Sequence, residues 1–192
     1  NAIDWNSTFL KIEFNVEKID GSRRLVINFQ DDGSGMSKDV LVKAFWGLGN
    51  SESRKRKEQG DSKVIGEKGH GTKIYLRSEK VIVQTKSPHG CFESICDYPF
   101  KALSNQRLHQ PKIKSINDIE SIKETGTNIK IIGYNDNERS GFVQDIVRDY
   151  ILWFTKIGSI EKIFNVNVNS NFVVHLKCID KDDYETINFG HI

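Results

Sequence analysis

The stretch that most constrains this 192-residue chain runs from residue 10 to residue 45, where two alternating apolar segments give way, through a glycine-rich turn, to a helix. Residues 10–16 and 24–29 carry apolar side chains at roughly alternate positions. Asp20, Gly21 and Ser22 between them supply turn chemistry, so the pair reads as a β-hairpin. The second arm runs into Asp31-Asp32-Gly33-Ser34-Gly35-Met36, and Ser37 opens a run with Val40, Leu41, Ala44 and Phe45 at helical spacing. Glycines in such a turn let backbone approach a flat ligand closely, and a carboxylate at a buried strand end can accept hydrogen bonds from an amine. An ordinary turn or Asx motif uses the same residues, so this feature alone fixes no function.

Further along, residues 47–71 are glycine-rich and charged with almost no apolar periodicity, which reads as a long loop; loops of this length in a compact domain are functional lids or disordered segments. Residues 72–79 suggest a short helix. Residues 80–85 and 91–96 suggest a hairpin turning at Ser87-Pro88-His89-Gly90, and residues 128–132 a further strand. Residues 98–124 give weak signals. Phe142, Ile146, Tyr150 and Phe154, with Val143, Val147 and Ile151 beside them, form an apolar stripe expected to lie on the sheet as core. Residues 164–168 and 172–176 alternate around Asn169-Ser170-Asn171 and suggest a closing hairpin. The resulting class is an α+β two-layer sandwich with a mixed, largely antiparallel sheet covered by helices. We expect one domain over residues 1–192, with a core at 1–134 and the helix plus hairpin at 135–192.

Composition narrows the class without naming a function. Apolar residues at 37% and charged residues at 28% are globular proportions, and no run is long enough to span a membrane. A net charge of +2 gives no field that implies nucleic acid, although Arg54-Lys55-Arg56-Lys57 is locally basic. The three cysteines match neither a redox pair nor a zinc site, and a reducing cytoplasm is the expected setting.

Two more constellations bear on chemistry. Gly66-Glu67-Lys68-Gly69-His70-Gly71 precedes the helix expected from Thr72, and backbone N–H groups at a glycine-preceded helix start suit phosphates. The spacing of Gly66 and Gly71 is that of a P-loop, but Thr72-Lys73 inverts the order that motif needs. Gly126-Thr127 leads into the strand at 128–132, where a Thr hydroxyl can reach a buried ligand, as strand-start threonines in general can.

Taken in order, these motifs resemble those of the GHKL superfamily of ATPases, which includes heat-shock chaperones, type II topoisomerases, MutL and MORC proteins. Asn1-Ala2-Ile3-Asp4 is similar to the end of the family's N box, Asp31 to Met36 to its first glycine motif, Gly66 to Gly71 to its second and Gly126-Thr127 to its last. Residues 78–86 are similar to the heat-shock chaperone branch. The resemblance implies a Bergerat fold that holds ATP and Mg²⁺ under a long lid. It implies that Asp31 accepts the adenine amine, that Gly35 and Met36 line the base, with Gly33 also among the nucleotide-binding residues, and that Thr127 supports the base directly or through water. Asn1 would coordinate Mg²⁺, Gly66, Lys68, Gly69, His70, Gly71 and Thr72 would surround the phosphates, and Asn50 and Ser51 would contribute from the lid. The family's general base is a Glu one helical turn before Asn1, so no catalytic residue is named within this chain.

The leading expectation is therefore an ATPase in which ATP binding and hydrolysis to ADP drive lid closure, conformational change or ATP-dependent homodimerisation in a larger protein whose effector domains or client lie outside this chain. A non-hydrolysing nucleotide sensor is the alternative, and a histidine kinase catalytic domain the third.

Overall fold

The computed structural model describes residues 2–47, 71–158 and 171–190, with residues 71–73 as backbone alone. The N-terminal alternation forms β1 (Phe9–Ile19) and β2 (Ser22–Asp31), paired antiparallel with Ile19 opposite Ser22. Asp20 and Gly21 take φ of 48° and 78°, the left-handed backbone that a two-residue hairpin turn needs and that Asp-Gly supplies at low cost. β3 (Lys80–Ser87) and β4 (Gly90–Asp97) form the second hairpin. The weakly patterned stretch contains a short helix, Pro99–Ser104, and β5 (Lys112–Ile116). β6 (Gly126–Ile132) follows, then a helix at Gln144–Phe154, and finally β7 (Val173–Lys177) and β8 (Glu185–Asn188). In chain order the helices are α1 (Lys38–Val40, continued by π-helical turns over Leu41–Trp46), α2 (Pro99–Ser104) and α3 (Gln144–Phe154). Residues expected to be helical at 72–79 form a 3₁₀ helix, Gly71–Leu76.

Among the described residues eight strands join one open sheet in the order β5-β4-β3-β6-β2-β1-β7-β8, antiparallel except between β1 and β7. One face is apolar. Ile12, Phe14, Leu25, Ile27, Ile131, Val174 and Leu176 pack with Ile151 of α3, while Val81, Val83, Phe92 and Cys96 pack with Leu41, Phe45, Trp46 and Leu76. Tyr75 and Ile129 touch both clusters and join them. The other face carries salt bridges, among them Lys130–Glu17, Lys177–Glu13 and Lys114–Glu93. Side chains alternate across a strand, so each β2 and β6 residue faces either the helical layer or the polar face.

Two expectations are corrected. The stripe Ile146, Tyr150 and Phe154 does not lie on the sheet: these residues are 55%, 61% and 74% exposed, whereas Ile151 is 6% exposed and Val147 packs against the core. Val147 and Ile151 sit one residue after Ile146 and Tyr150, about 100° around the helix, so α3 has two apolar faces and burial selects the narrower one. Buried Gln144 fixes that choice, since its side chain bonds the Leu176 carbonyl, Glu185 and the Cys178 N–H. The closing hairpin also differs. β7 has β1 on one edge and β8 on the other, so the observed terminal hairpin is β7–β8, and the arm expected at 164–168 lies outside the described residues.

Candidate functional site

Sheet register decides which polar side chains meet. Asp31 is the Cα partner of Thr127, Thr127 of Thr85, and Thr85 of Phe92, so these positions form one transverse row across β2, β6, β3 and β4. The row faces the helical layer, in line with the core positions Ile27, four residues before Asp31 on β2, and Val83, two residues before Thr85 on β3. It places three polar groups at the end of an otherwise apolar face. Thr85 is fully buried and Thr127 is 6% exposed.

These groups form a connected set. The Thr85 hydroxyl accepts the Met36 N–H at 2.7 Å and lies 3.2 Å from both the Gly126 carbonyl and the Thr127 hydroxyl. A hydroxyl has one proton, so if Thr85 donates to Gly126, Thr127 must donate to Thr85, leaving lone pairs on Thr127. Asp31 accepts the Gly33 N–H at 3.0 Å. Burial pushes its carboxyl up to about 6, against the Gly33 hydrogen bond and with help from the charge of Asp32. The fully buried Ser7 hydroxyl lies beside this carboxyl and eases its ionisation without completing a well-aligned hydrogen bond. Tyr75 stacks on Phe29 at 5.6 Å, and burial, then the charge of Asp31, pushes its phenol up to about 12.

Asp32 has a different task. Its carboxylate accepts the N–H groups of Thr8 and Phe9 and the Thr8 hydroxyl. Burial alone would raise its pKa, but these bonds outweigh it and hold the group below the usual carboxylate range. Asp32 thus anchors the start of β1, and Ser34 ties the turn to the Trp5 carbonyl through its N–H and its hydroxyl.

The glycines are required for chain packing as well as for any ligand. Gly35 has φ +65°, and a Cβ there would lie 2.0 Å from the Lys86 carbonyl oxygen. At Gly126, φ is +148° and a Cβ would lie 2.2 Å from the Asp31 carbonyl oxygen. A Cβ at Gly33 would meet the Ser7 hydroxyl at 2.6 Å. The first and last glycine motifs are therefore pressed against each other and against the ends of β2 and β3. This explains their glycines by close approach of backbone to backbone, where the sequence suggested approach to a ligand.

Of the residues singled out in sequence, Asp31, Gly33, Gly35, Met36 and Thr127 come together here. Gly71 and Thr72 begin the 3₁₀ helix that carries Tyr75. Asn1, Asn50, Ser51, Gly66, Lys68, Gly69 and His70 lie outside the described residues. Sequence reasoning missed Thr85 and Ser7. Thr85 stood in a stretch already noted for its similarity to chaperones, but its place opposite Thr127 depends on the pairing of β3 with β6, which no local signal reveals. A groove of about 270 Å³, lined by Lys11, Asn28, Gln30, Gln84, Asn128 and Lys130 among others, lies on the opposite, polar face; Gln30, Gln84 and Asn128 are the chain neighbours of Asp31, Thr85 and Thr127 and point away from them. Among the described residues no group of three or more His, Cys, Asp or Glu could hold a metal ion, and no helix is long and apolar enough to cross a membrane.

Residues 1–128 match the family model for histidine kinase-, DNA gyrase B- and HSP90-like ATPases. The match ends one residue past Thr127, so it spans all three glycine motifs and the whole Asp31–Thr127–Thr85 row. None of the curated proteins matches the chain significantly.

Proposed function

Because the chain belongs to the GHKL ATPases, the histidine kinase-, DNA gyrase B- and HSP90-like family, we propose that it binds ATP with its adenine seated against the row Asp31–Thr127–Thr85. The observation that carries this reading is a carboxyl held in a largely buried position at a strand end, with one oxygen committed to Gly33 and a connected hydroxyl pair beside it. A largely buried carboxylate is costly to ionise, and an amine donor from a ligand would offset that cost. Adenine offers such an amine where guanine offers a carbonyl. Thr127 would take a second base contact, directly or through water, and Gly35 and Met36, fixed by Lys86, Gly126 and Thr85, would form the edge of the base site.

The finer assignments rest on the sequence. Gly66, Lys68, Gly69, His70, Gly71 and Thr72 would surround the phosphates, Asn50 and Ser51 would close over them, and Asn1 would hold Mg²⁺, which would supply positive charge to offset that of the phosphates. Hydrolysis to ADP would need the general base expected upstream of Asn1, and closure of residues 47–71 would couple the nucleotide state to dimerisation or to effector domains in a cytoplasmic protein. Titration calorimetry of the native protein with ATP and GTP tests the base assignment. We expect GTP to bind at least about 100-fold more weakly, since a site built around one buried hydrogen bond rejects a ligand that lacks its partner. Equal affinity for the two nucleotides would overturn it.

A further inference from the structure

The second apolar face of α3 has no cover among the described residues. Ile146, Tyr150, Trp153 and Phe154 are 55%, 61%, 69% and 74% exposed. They fall within about 100° of helix circumference, and the Tyr150 and Phe154 rings lie side by side with centroids 5.1 Å apart, so the face is one continuous patch. Three aromatic side chains and one isoleucine at these exposures present roughly 400–500 Å² of apolar surface, the upper part of the range for the largest patch on a monomer. The patch does not belong to the nucleotide site: α3 packs through Ile151 and Val147 on the cluster around β7 and β1.

We propose that this face is a contact between two copies of this chain, with α3 packed antiparallel on its copy about a two-fold axis at Tyr150. Tyr150 is midway between Ile146 and Phe154, so such an axis sets Ile146 against the partner's Phe154, and Tyr150 against the partner's Tyr150, as a self-complementary interface requires. Antiparallel packing also opposes the two helix dipoles, which parallel packing would align. Two patches together bury about 900 Å² of apolar area and, with the rim, just reach the roughly 1,000 Å² that a specific interface needs, the size class of a reversible dimer.

The contact requires no nucleotide, which distinguishes it from the ATP-dependent dimerisation proposed above. Sedimentation velocity of the nucleotide-free protein from about 1 to 200 µM should show the monomer giving way to dimer, with Trp153 emission shifting to the blue over the same range. Trp153→Asp, at an exposed position, should stay monomeric throughout and unfold at the same temperature as the native chain. A native protein that remains monomeric at the top concentration, or a Trp153→Asp variant that associates as well as the native chain, overturns the proposal. Dimerisation that appears only with ATP and survives Trp153→Asp would also overturn it while leaving the nucleotide reading intact.

Discussion

The hydroxyl of Thr85 accepts the N–H of Met36 at 2.7 Å across 49 residues of chain, joining the first glycine motif to the strand that lines the last. Replacing Thr85 by Val keeps the shape of the side chain but leaves the Met36 N–H and the Thr127 hydroxyl without this partner. The expected loss is about 1–3 kcal/mol of stability in urea unfolding, together with weaker ATP binding. Thr85→Ser restores the hydroxyl and should recover most of both. If Val and Ser behave alike, packing accounts for Thr85 and the hydrogen-bonded set does not.

Gly35 supplies the test of the turn itself. Its φ of +65° and the 2.0 Å approach of a Cβ to the Lys86 carbonyl oxygen mean that an alanine must push backbone apart. Gly35→Ala should cost on the order of 2 kcal/mol or more, read as a lower midpoint in thermal unfolding. Gly141, where a Cβ meets nothing within 4 Å, is the control, and alanine there should change stability by less than about 0.5 kcal/mol.

The Asp31 carboxyl predicts how stability and affinity vary with pH. Its folded pKa, about 6, lies above the unfolded value, so between roughly pH 4 and 6 the folded chain binds more protons than the unfolded one. The stability this group contributes is full below its unfolded pKa and is lost as pH rises through about 6, a change on the order of 3 kcal/mol. An amine donor favours the ionised carboxyl, so ATP affinity should rise with pH through the same window, by up to about tenfold per unit, and level off near pH 7. Asp31→Asn should flatten that rise. A native affinity that is constant from pH 5 to 7.5 would show that this carboxyl does not face the base.

On α3, Ile151→Ala should cost about 2–5 kcal/mol and Ile146→Ala less than about 0.5 kcal/mol, measured on dilute protein so that association does not contribute. The reverse order would put the helix back on its other face.

Much of the fold was legible because its signals are local. The β1–β2 and β3–β4 hairpins follow from alternation around Asp20-Gly21 and around Pro88-His89, and α1 from its spacing after the Ser37 cap, whose hydroxyl accepts the Val40 N–H. What was not legible depends on distant pairing. β7 fits between β1 and β8 by a parallel pairing that alternation at 172–176 cannot specify, since the same pattern suits a hairpin. The orientation of α3 was hidden because two apolar stripes lie one residue apart, and the choice between them rests on Gln144 reaching Leu176 and Cys178 more than thirty residues away. In the site, Asp31 and Thr127 could be named from their motifs, while Thr85 and Ser7 enter only through register and through the packing of the N-terminal turn on Gly33.

The central claim, that Asp31 and not its neighbour reads the base, is tested most directly by calorimetric titration of Asp31→Ala and Asp32→Ala with ATP. Asp32 is occupied by Thr8 and Phe9, so its loss should lower stability through the start of β1 and leave ATP affinity nearly unchanged. Loss of Asp31 should weaken ATP by on the order of 2 kcal/mol or more, about thirtyfold, while relieving a buried charge and so sparing or raising stability. Intact ATP affinity in Asp31→Ala, or equal losses in the two variants, would contradict the account.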